Sequence, residues 1–280
     1  MKIHRDTISS SGIELNCYCA GSGQPMLFLH GHPDCGIGWI HQIEQFGQNY
    51  RVIAPDLRGC GHSGKPRALT DYSIEKLIGD ILAVIERYEI DDLIFVGHDW
   101  GGIIGWYFAA YNPNLIENLI TICAPHPAEY IRAFSDDRQK KAALYINEIL
   151  TQKIFKVGFE TFDQRFPNEP ERAMFLEAMK ETDFRAVANY YRAFMRDSPI
   201  FPLKGIPKIK APTLVIHAKN DPAIIDTAYK NTHRWVDNEV KTVEVPADTH
   251  FPHQEHAICV NSAISAWLKG LSPTGHIKNV

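Results

Sequence analysis

Residues 96–102 read Val-Gly-His-Asp-Trp-Gly-Gly, and the change of rhythm across them decides the fold. Upstream, 91–97 (DDLIFVG) is a short apolar run of strand length. Downstream, 100–111 is apolar at helical length. Asp99 therefore stands on the bend where a buried strand passes into a helix, flanked by glycines that let the two elements pass closely. A small-x-nucleophile-x-small turn of this kind strains its central residue and lifts that side chain above the sheet, and the helix N-terminus favours a negative charge there. Seen alone, G-x-D-x-G is equally compatible with Asp99 as a plain helix N-cap.

Outward from this turn the chain alternates. Residues 12–19 alternate like a strand, 26–30 form a short buried run, and 50–55 form another strand before the turn-rich DLRGCGHSGKP. A helix is expected over 73–89, where Ile74, Leu77, Ile78, Ile81, Leu82 and Ile85 keep the spacing of one buried face. A strand over 118–123 follows the helix at 100–111. This β-α-β-α-β order implies a mostly parallel central sheet flanked by helices. The alternation stops at Pro125. From 126 to 205 the sequence reads as helices only (QKKAALYINEIL, ERAMFLEAMK, RAVANYYRAFM), far too long for a connection. We read an α/β core from 1–125 and 206–280 with an inserted helical cap at 126–205. The core resumes with a strand at 212–218, a helix near 223–235, a strand at 241–245 and a helix near 256–269. The tail after Pro273 is expected to be loose.

The 280 residues carry 29 basic and 33 acidic side chains, a net charge of −4, which offers no basic surface for nucleic acid. The start, MKIHRDTISS, has no apolar core of a secretory signal, and no run approaches the roughly 18 residues of a membrane span. The six cysteines show neither metal-binding pairs nor the density of a disulfide scaffold. A cytoplasmic protein with reduced thiols, a small-molecule substrate, no cofactor and a monomeric or homodimeric state is the expectation.

Taken together, HGHPD (30–34), DLRGCGHSGKP (56–66), GHDWGG (97–102), KND (219–221) and THFPHQE (249–255) resemble the epoxide hydrolase branch of the α/β-hydrolase fold family, which is related to the haloalkane dehalogenases. The resemblance runs from about residue 5 to 270, with the motifs in family order. It implies Asp99 as the nucleophile and His250, the first histidine of THFPHQE, as the base, with Thr249 where the family has glycine. His253 and His256 are close competitors by sequence. Asp221 would orient the base and Asp226 is the fallback; TICAPHP (121–127) holds no carboxylate for the alternative acid position of some dehalogenases. The backbone N–H groups of Trp100 and His32 would form an oxyanion hole, with His30, Pro33 and Trp100 bordering substrate and Pro33 in cis. No third ligand accompanies His30 and His32, so no metal is expected.

Asp suits displacement at a saturated carbon, leaving an alkyl ester that water must cleave. An epoxide oxygen leaves as a strongly basic alkoxide and needs a proton donor. A phenol, with an ordinary pKa of about 10, is a suitable one. In the cap, Tyr191 in NYYRAF and Tyr145 in LYINEIL match the family's paired tyrosines. Tyr190 and Tyr191 diverge by about 100° on a helix, so only one can face the site. A halide would need no proton. The five tryptophans all lie outside the cap, and His32 occupies the position where dehalogenases place Asn. A haloalkane or haloacid dehalogenase is thus the second reading, and a non-catalytic ligand receptor on the same fold the third.

Overall fold

The computed structural model describes residues 2–151, 163–195 and 205–270. The expected loose tail after Pro273, and the parts of the expected cap at 152–162 and 196–204, lie outside these residues. An eight-stranded sheet forms the centre, in the order β1-β2-β4-β3-β5-β6-β7-β8. The strands are β1 (His4–Ser10), β2 (Ile13–Ala20), β3 (Pro25–Leu29), β4 (Arg51–Pro55), β5 (Leu93–His98), β6 (Ile116–Ile122), β7 (Thr213–Ala218) and β8 (Val240–Val245). The two contacts made by β2, to β1 and to β4, are antiparallel; every other neighbour pair is parallel.

The central strands are apolar on both faces because both are covered. Along β5, Leu93 and Phe95 join one buried cluster while Ile94 and Val96 join the other. The first cluster takes its cover from α2 (Ile74–Arg87) and α3 (Trp100–Tyr111), the second from α1 (Ile40–Phe46) and α10 (Ala257–Leu268). The Ser73 side chain accepts the Lys76 N–H at the start of α2, and the buried face carries Ile74, Leu77, Ile81, Val84 and Ile85. Asp80 sits among them and is held by Arg58 through two bonds of 2.6 and 2.7 Å. Burying such a charge is tolerable only because it is fully paired.

Between β6 and β7 the described residues contain helices only: α4 (Pro127–Ala133), α5 (Asp137–Ala142), α6 (Tyr145–Leu150), α7 (Glu169–Lys180) and α8 (Phe184–Met195), with a 3-10 turn at Asp163–Arg165. No helix among the described residues is long and apolar enough to cross a membrane. All six cysteines are buried and free.

The structure adds two elements, β1 and α1, to the sequence reading and corrects one expectation. Strand β1 was not anticipated, because HRDTISS is exposed over most of its length and lacks a clear apolar face. A tight turn at Ser11 and Gly12, both with positive φ, folds it back onto β2. Helix α1 was likewise not anticipated. The helix expected over 223–235 is two 3-10 turns instead, Asp226–Tyr229 and Thr232–Trp235. Its start is pinned from a distance: Gln139 of α5 donates to the Ala223 carbonyl and accepts the Ile225 N–H. An α-helix from 223 would need the Ala223 carbonyl for the Thr227 N–H, whereas the Ile225 N–H is a first-turn donor with no partner inside such a helix.

Candidate active site

At the C-terminal end of β5, Asp99 takes φ 48° and ψ −118°, in the positive-φ region that ordinary residues avoid. Its backbone N–H donates to the Ile122 carbonyl at 3.2 Å. The bend holds because its neighbours are glycines. A Cβ on Gly101 would run into the Leu29 and His30 carbonyls, and one on Gly31 would strike the Asp99 side chain itself. The strain at Asp99 is thus enforced by strands β3 and β6 on either side.

The Asp99 carboxylate is gripped from two directions. Oδ1 accepts the His32 N–H at 2.8 Å, and the backbone N–H of Trp100 also donates to the carboxylate. Oδ2 faces His250 Nε2 at 3.4 Å. On the other side of the imidazole, Nδ1 meets both Asp221 oxygens, at 2.9 and 3.0 Å. Asp221 is itself fixed by the Ala223 and Ile224 N–H groups, at 2.8 and 3.3 Å. Asp99, His250 and Asp221 come from the ends of β5, β8 and β7 and converge at one point. The fallback acid Asp226 lies elsewhere, pairing with Arg138 and Lys230. His253 turns away to Asp34, at 3.3 Å. His256 lies between α9 (Pro252–Glu255) and α10, as the N-cap of the latter.

Charge follows from this geometry. Burial alone would lower the His250 pKa, but the Asp221 carboxylate beside it, and then Asp99, raise it to about 10. Burial alone would raise Asp99, but the His250 hydrogen bond and charge hold it at about 2. The resting pair at neutral pH is an imidazolium between two carboxylates. The stabilisation from the raised histidine is complete below its ordinary 6.5 and disappears as pH rises through about 10. That from the depressed Asp99 is complete above its ordinary 3.8 and is lost as pH falls through about 2. A histidine NMR titration should therefore find His250 above 6.5. Asp221→Asn should lower it further than Asp99→Asn, because Asp221 is the stronger source. The reverse order would refute this electrostatic account.

A cavity of about 510 Å³ opens directly above Asp99. Asp99, Trp100, Cys123 and Ile224 are among its lining residues from the core, and residues of α4, α5, α6 and α8 line it from the inserted helices. Tyr145 and Tyr191 both line it, their rings edge to face at 6.4 Å. Tyr191 also meets Trp100 edge to face at 5.2 Å. Burial pushes both phenols well above their ordinary value, and the nearby Asp99 charge adds to the effect. They are proton donors at every physiological pH. Tyr190 points the other way: its hydroxyl donates to the Arg58 carbonyl at 2.9 Å, and its ring packs on His32 and Tyr72.

Of the groups expected beside substrate, Trp100 lines the cavity; His30, His32 and Pro33 do not. The His30 ring is buried behind the turn, where Nε2 accepts the Leu57 N–H at 2.9 Å and Nδ1 lies 2.7 Å from the Gly31 carbonyl. It braces the turn that aims the His32 N–H. The His32 ring is buried against Tyr190 at 4.4 Å, and burial lowers its pKa to about 3, so it is neutral. The His32–Pro33 peptide is cis.

A supporting set went unread in the sequence. Asp34 accepts from Cys35 N–H at 2.8 Å and from Gln254 at 2.9 Å. Arg165 donates to the Pro33 carbonyl at 3.0 Å and lies over the Phe251 ring at 3.4 Å. His98 Nε2 lies 2.7 Å from the His250 carbonyl. These contacts tie the 30–34 turn to the loop that carries His250. Asp34 and Gln254 belong to the HGHPD and THFPHQE motifs, which signal them locally; Arg165 has no local signal. Two groups of described side chains bring metal-ligand atoms within 4.8 Å of one another, Asp34–His98–His253 and Cys123–Asp221–His250. Neither includes His30 or His32.

The chain is similar to known proteins over most of its length. Residues 24–257 match the alpha/beta hydrolase fold family. Epoxide hydrolase 2 of Siraitia grosvenorii is 38% identical over 122 residues, 43% of this chain and 39% of that one. The chain thus aligns with about two-fifths of that relative's length. The AB hydrolase superfamily protein YfhM of Bacillus subtilis is 30% identical over 94% of this chain and 96% of its own. An inhibitor complex of the Bacillus megaterium epoxide hydrolase superposes with a TM-score of 0.85 at 27% identity, covering 94% of this chain and 100% of that one.

Proposed function

The chain belongs to the alpha/beta hydrolase fold family, on its epoxide hydrolase branch, and from that premise we propose that it opens epoxides to vicinal diols through a covalent ester on Asp99. The observation that carries this reading is the cavity itself. It is lined by a carboxylate backed by an imidazole and by two protonated phenols, Tyr191 buried and Tyr145 half-buried.

Asp99 Oδ2 attacks a ring carbon, the carbon–oxygen bond of the epoxide breaks, and the departing alkoxide takes a proton from Tyr191, with Tyr145 as its partner donor. Oδ1, held by the His32 and Trp100 N–H groups, becomes the ester carbonyl. With Asp99 esterified, its negative charge is gone and His250 holds its proton less tightly. The ring can then give that proton up, through solvent, to the Tyr191 phenolate, which restores the phenol, and accept another from water. That water attacks the Asp99 carboxyl carbon, and the same two N–H groups hold the oxyanion. The intermediate expels the diol, protonated by His250; the proton left on the Asp99 carboxyl passes to the ring, restoring carboxylate and imidazolium, and Asp221 holds the ring throughout. Helices α4, α5, α6 and α8 cover the reacting groups and shield them from bulk water.

A side-by-side turnover test of small epoxides and haloalkanes decides the leaving group. The wild type is expected to yield diol, and Tyr191→Phe to lower diol formation by about 10²–10⁴-fold, the usual worth of a general acid. Halide release faster than diol formation, or an unchanged rate in Tyr191→Phe, would favour the dehalogenase reading. Ligand binding with no turnover of any substrate would favour the receptor.

A further inference from the structure

One cavity-lining group has no part in that mechanism. Cys123 follows the last residue of β6 with φ 47°, and its N–H donates to the Ile216 carbonyl of β7 at 2.8 Å. The thiol is thereby set at the cavity wall beside the acid, where it donates to Asp221. The Cys123 sulfur, an Asp221 oxygen and a His250 ring nitrogen lie within 4.8 Å of one another. From these we infer that Cys123, Asp221 and His250 form a binding site for one thiophilic divalent cation of the zinc class, and that its occupancy turns the hydrolase off.

Zinc bonds of about 2.3 Å to sulfur and 2.0–2.2 Å to nitrogen and oxygen place tetrahedral donors roughly 3.2–3.7 Å apart. The His250–Asp221 pair, at 2.9 and 3.0 Å, is already close to that spacing. The sulfur needs to approach by about an ångström at most. A second observation points to the same spot. Tyr229 is 2% exposed, and its hydroxyl has no hydrogen-bond partner. Burial raises this phenol most, and among its ionisable neighbours Cys123 and then Asp221 act on it most strongly. In the proposed site this hydroxyl would hold a water that completes the ion's coordination. The other candidate cluster, Asp34–His98–His253, lacks such access, because none of its members reaches the cavity.

Binding exchanges protons for metal. The Cys123 S–H bond breaks as the sulfur–metal bond forms, and the His250 Nδ1 proton leaves as the metal takes its place, both protons passing to solvent. His250 Nε2 keeps the remaining ring proton and cannot accept one from water. A thiolate and an imidazole select zinc or cadmium over magnesium. The binding step stands on the geometry alone; the inhibition rests on the proposed role of His250.

Titration calorimetry of the full chain with zinc chloride should give one site per chain, and magnesium chloride should give none. The cobalt(II) form should show a thiolate-to-metal absorption that Cys123→Ser and Cys123→Ala both lack. Zinc affinity in either variant should fall by at least about 10-fold, no less than the loss of an outer-shell partner typically costs. Epoxide turnover by the wild type should fall as zinc loads and return with a chelator. Zinc bound equally well by both variants, or a cobalt spectrum unchanged by them, overturns the site. Zinc bound through Cys123 with turnover unaffected overturns the inhibition. Should no preparation turn over an epoxide, the calorimetry and the cobalt spectrum still decide the site, independently of the function proposed above.

Discussion

Asp99→Asn is expected to reduce epoxide turnover by about 10⁴-fold or more, the scale on which loss of a covalent nucleophile acts. Asn is the informative replacement. It tolerates positive φ better than most residues, so the bend at φ 48° should survive. It still offers an oxygen to the His32 N–H, and it removes only the charge and the nucleophilicity. Steady-state diol formation measures the loss, and an unchanged melting temperature would show that the elbow persists. Turnover within 10-fold of wild type would mean that water attacks the epoxide directly and that no ester forms. The covalent mechanism would then be wrong, even though the cavity is correctly placed.

The second large effect concerns His250→Gln, which should separate the two half-reactions. Attack by Asp99 needs only the carboxylate and the phenols, so the ester should form. Its hydrolysis needs a base on the far side of the carboxyl group, where His250 Nε2 now stands 3.4 Å from Oδ2. The ester should therefore accumulate, with hydrolysis slowed by about 10²–10⁴-fold or more. Intact-protein mass spectrometry should show the chain heavier by one whole epoxide, and peptide mapping should place the addition on Asp99. An adduct elsewhere in the chain would contradict the assignment of the nucleophile. So would a variant that turns over normally with no adduct at any time.

The two experiments test different links. The first asks whether Asp99 reacts with carbon; the second asks whether the imidazole held by Asp221 is what releases the product. The charge arrangement makes them interdependent. While Asp99 is ionised, it helps keep a proton on His250, whose pKa stands near 10. Esterification removes that charge, so the base becomes available at the stage that needs it. A carboxylate nucleophile thereby times its own base.

The amino-acid sequence alone determined where the sheet's central strand had to turn. An apolar run ending in Gly-x-Asp-x-Gly-Gly can be continued only by a chain that passes tightly over its own strand, because only glycine leaves room there. That is local steric information, and it is legible without a fold. Period and length likewise revealed the two-faced strands, helix α2 and the helical stretch after Pro125. Tertiary structure alone decided the rest. Which of the thirteen histidines meets Asp99, and which of Tyr190 and Tyr191 faces the cavity, depend on strand ends and helix faces brought together from distant parts of the chain. The missing helix at 223–235 has the same origin. The Ala223 carbonyl that its first turn would use is taken by Gln139, 84 residues away along the chain. A hydrogen bond of that range outweighs a local propensity worth only tenths of a kcal/mol per residue, about 0–0.7, and no window of sequence contains it.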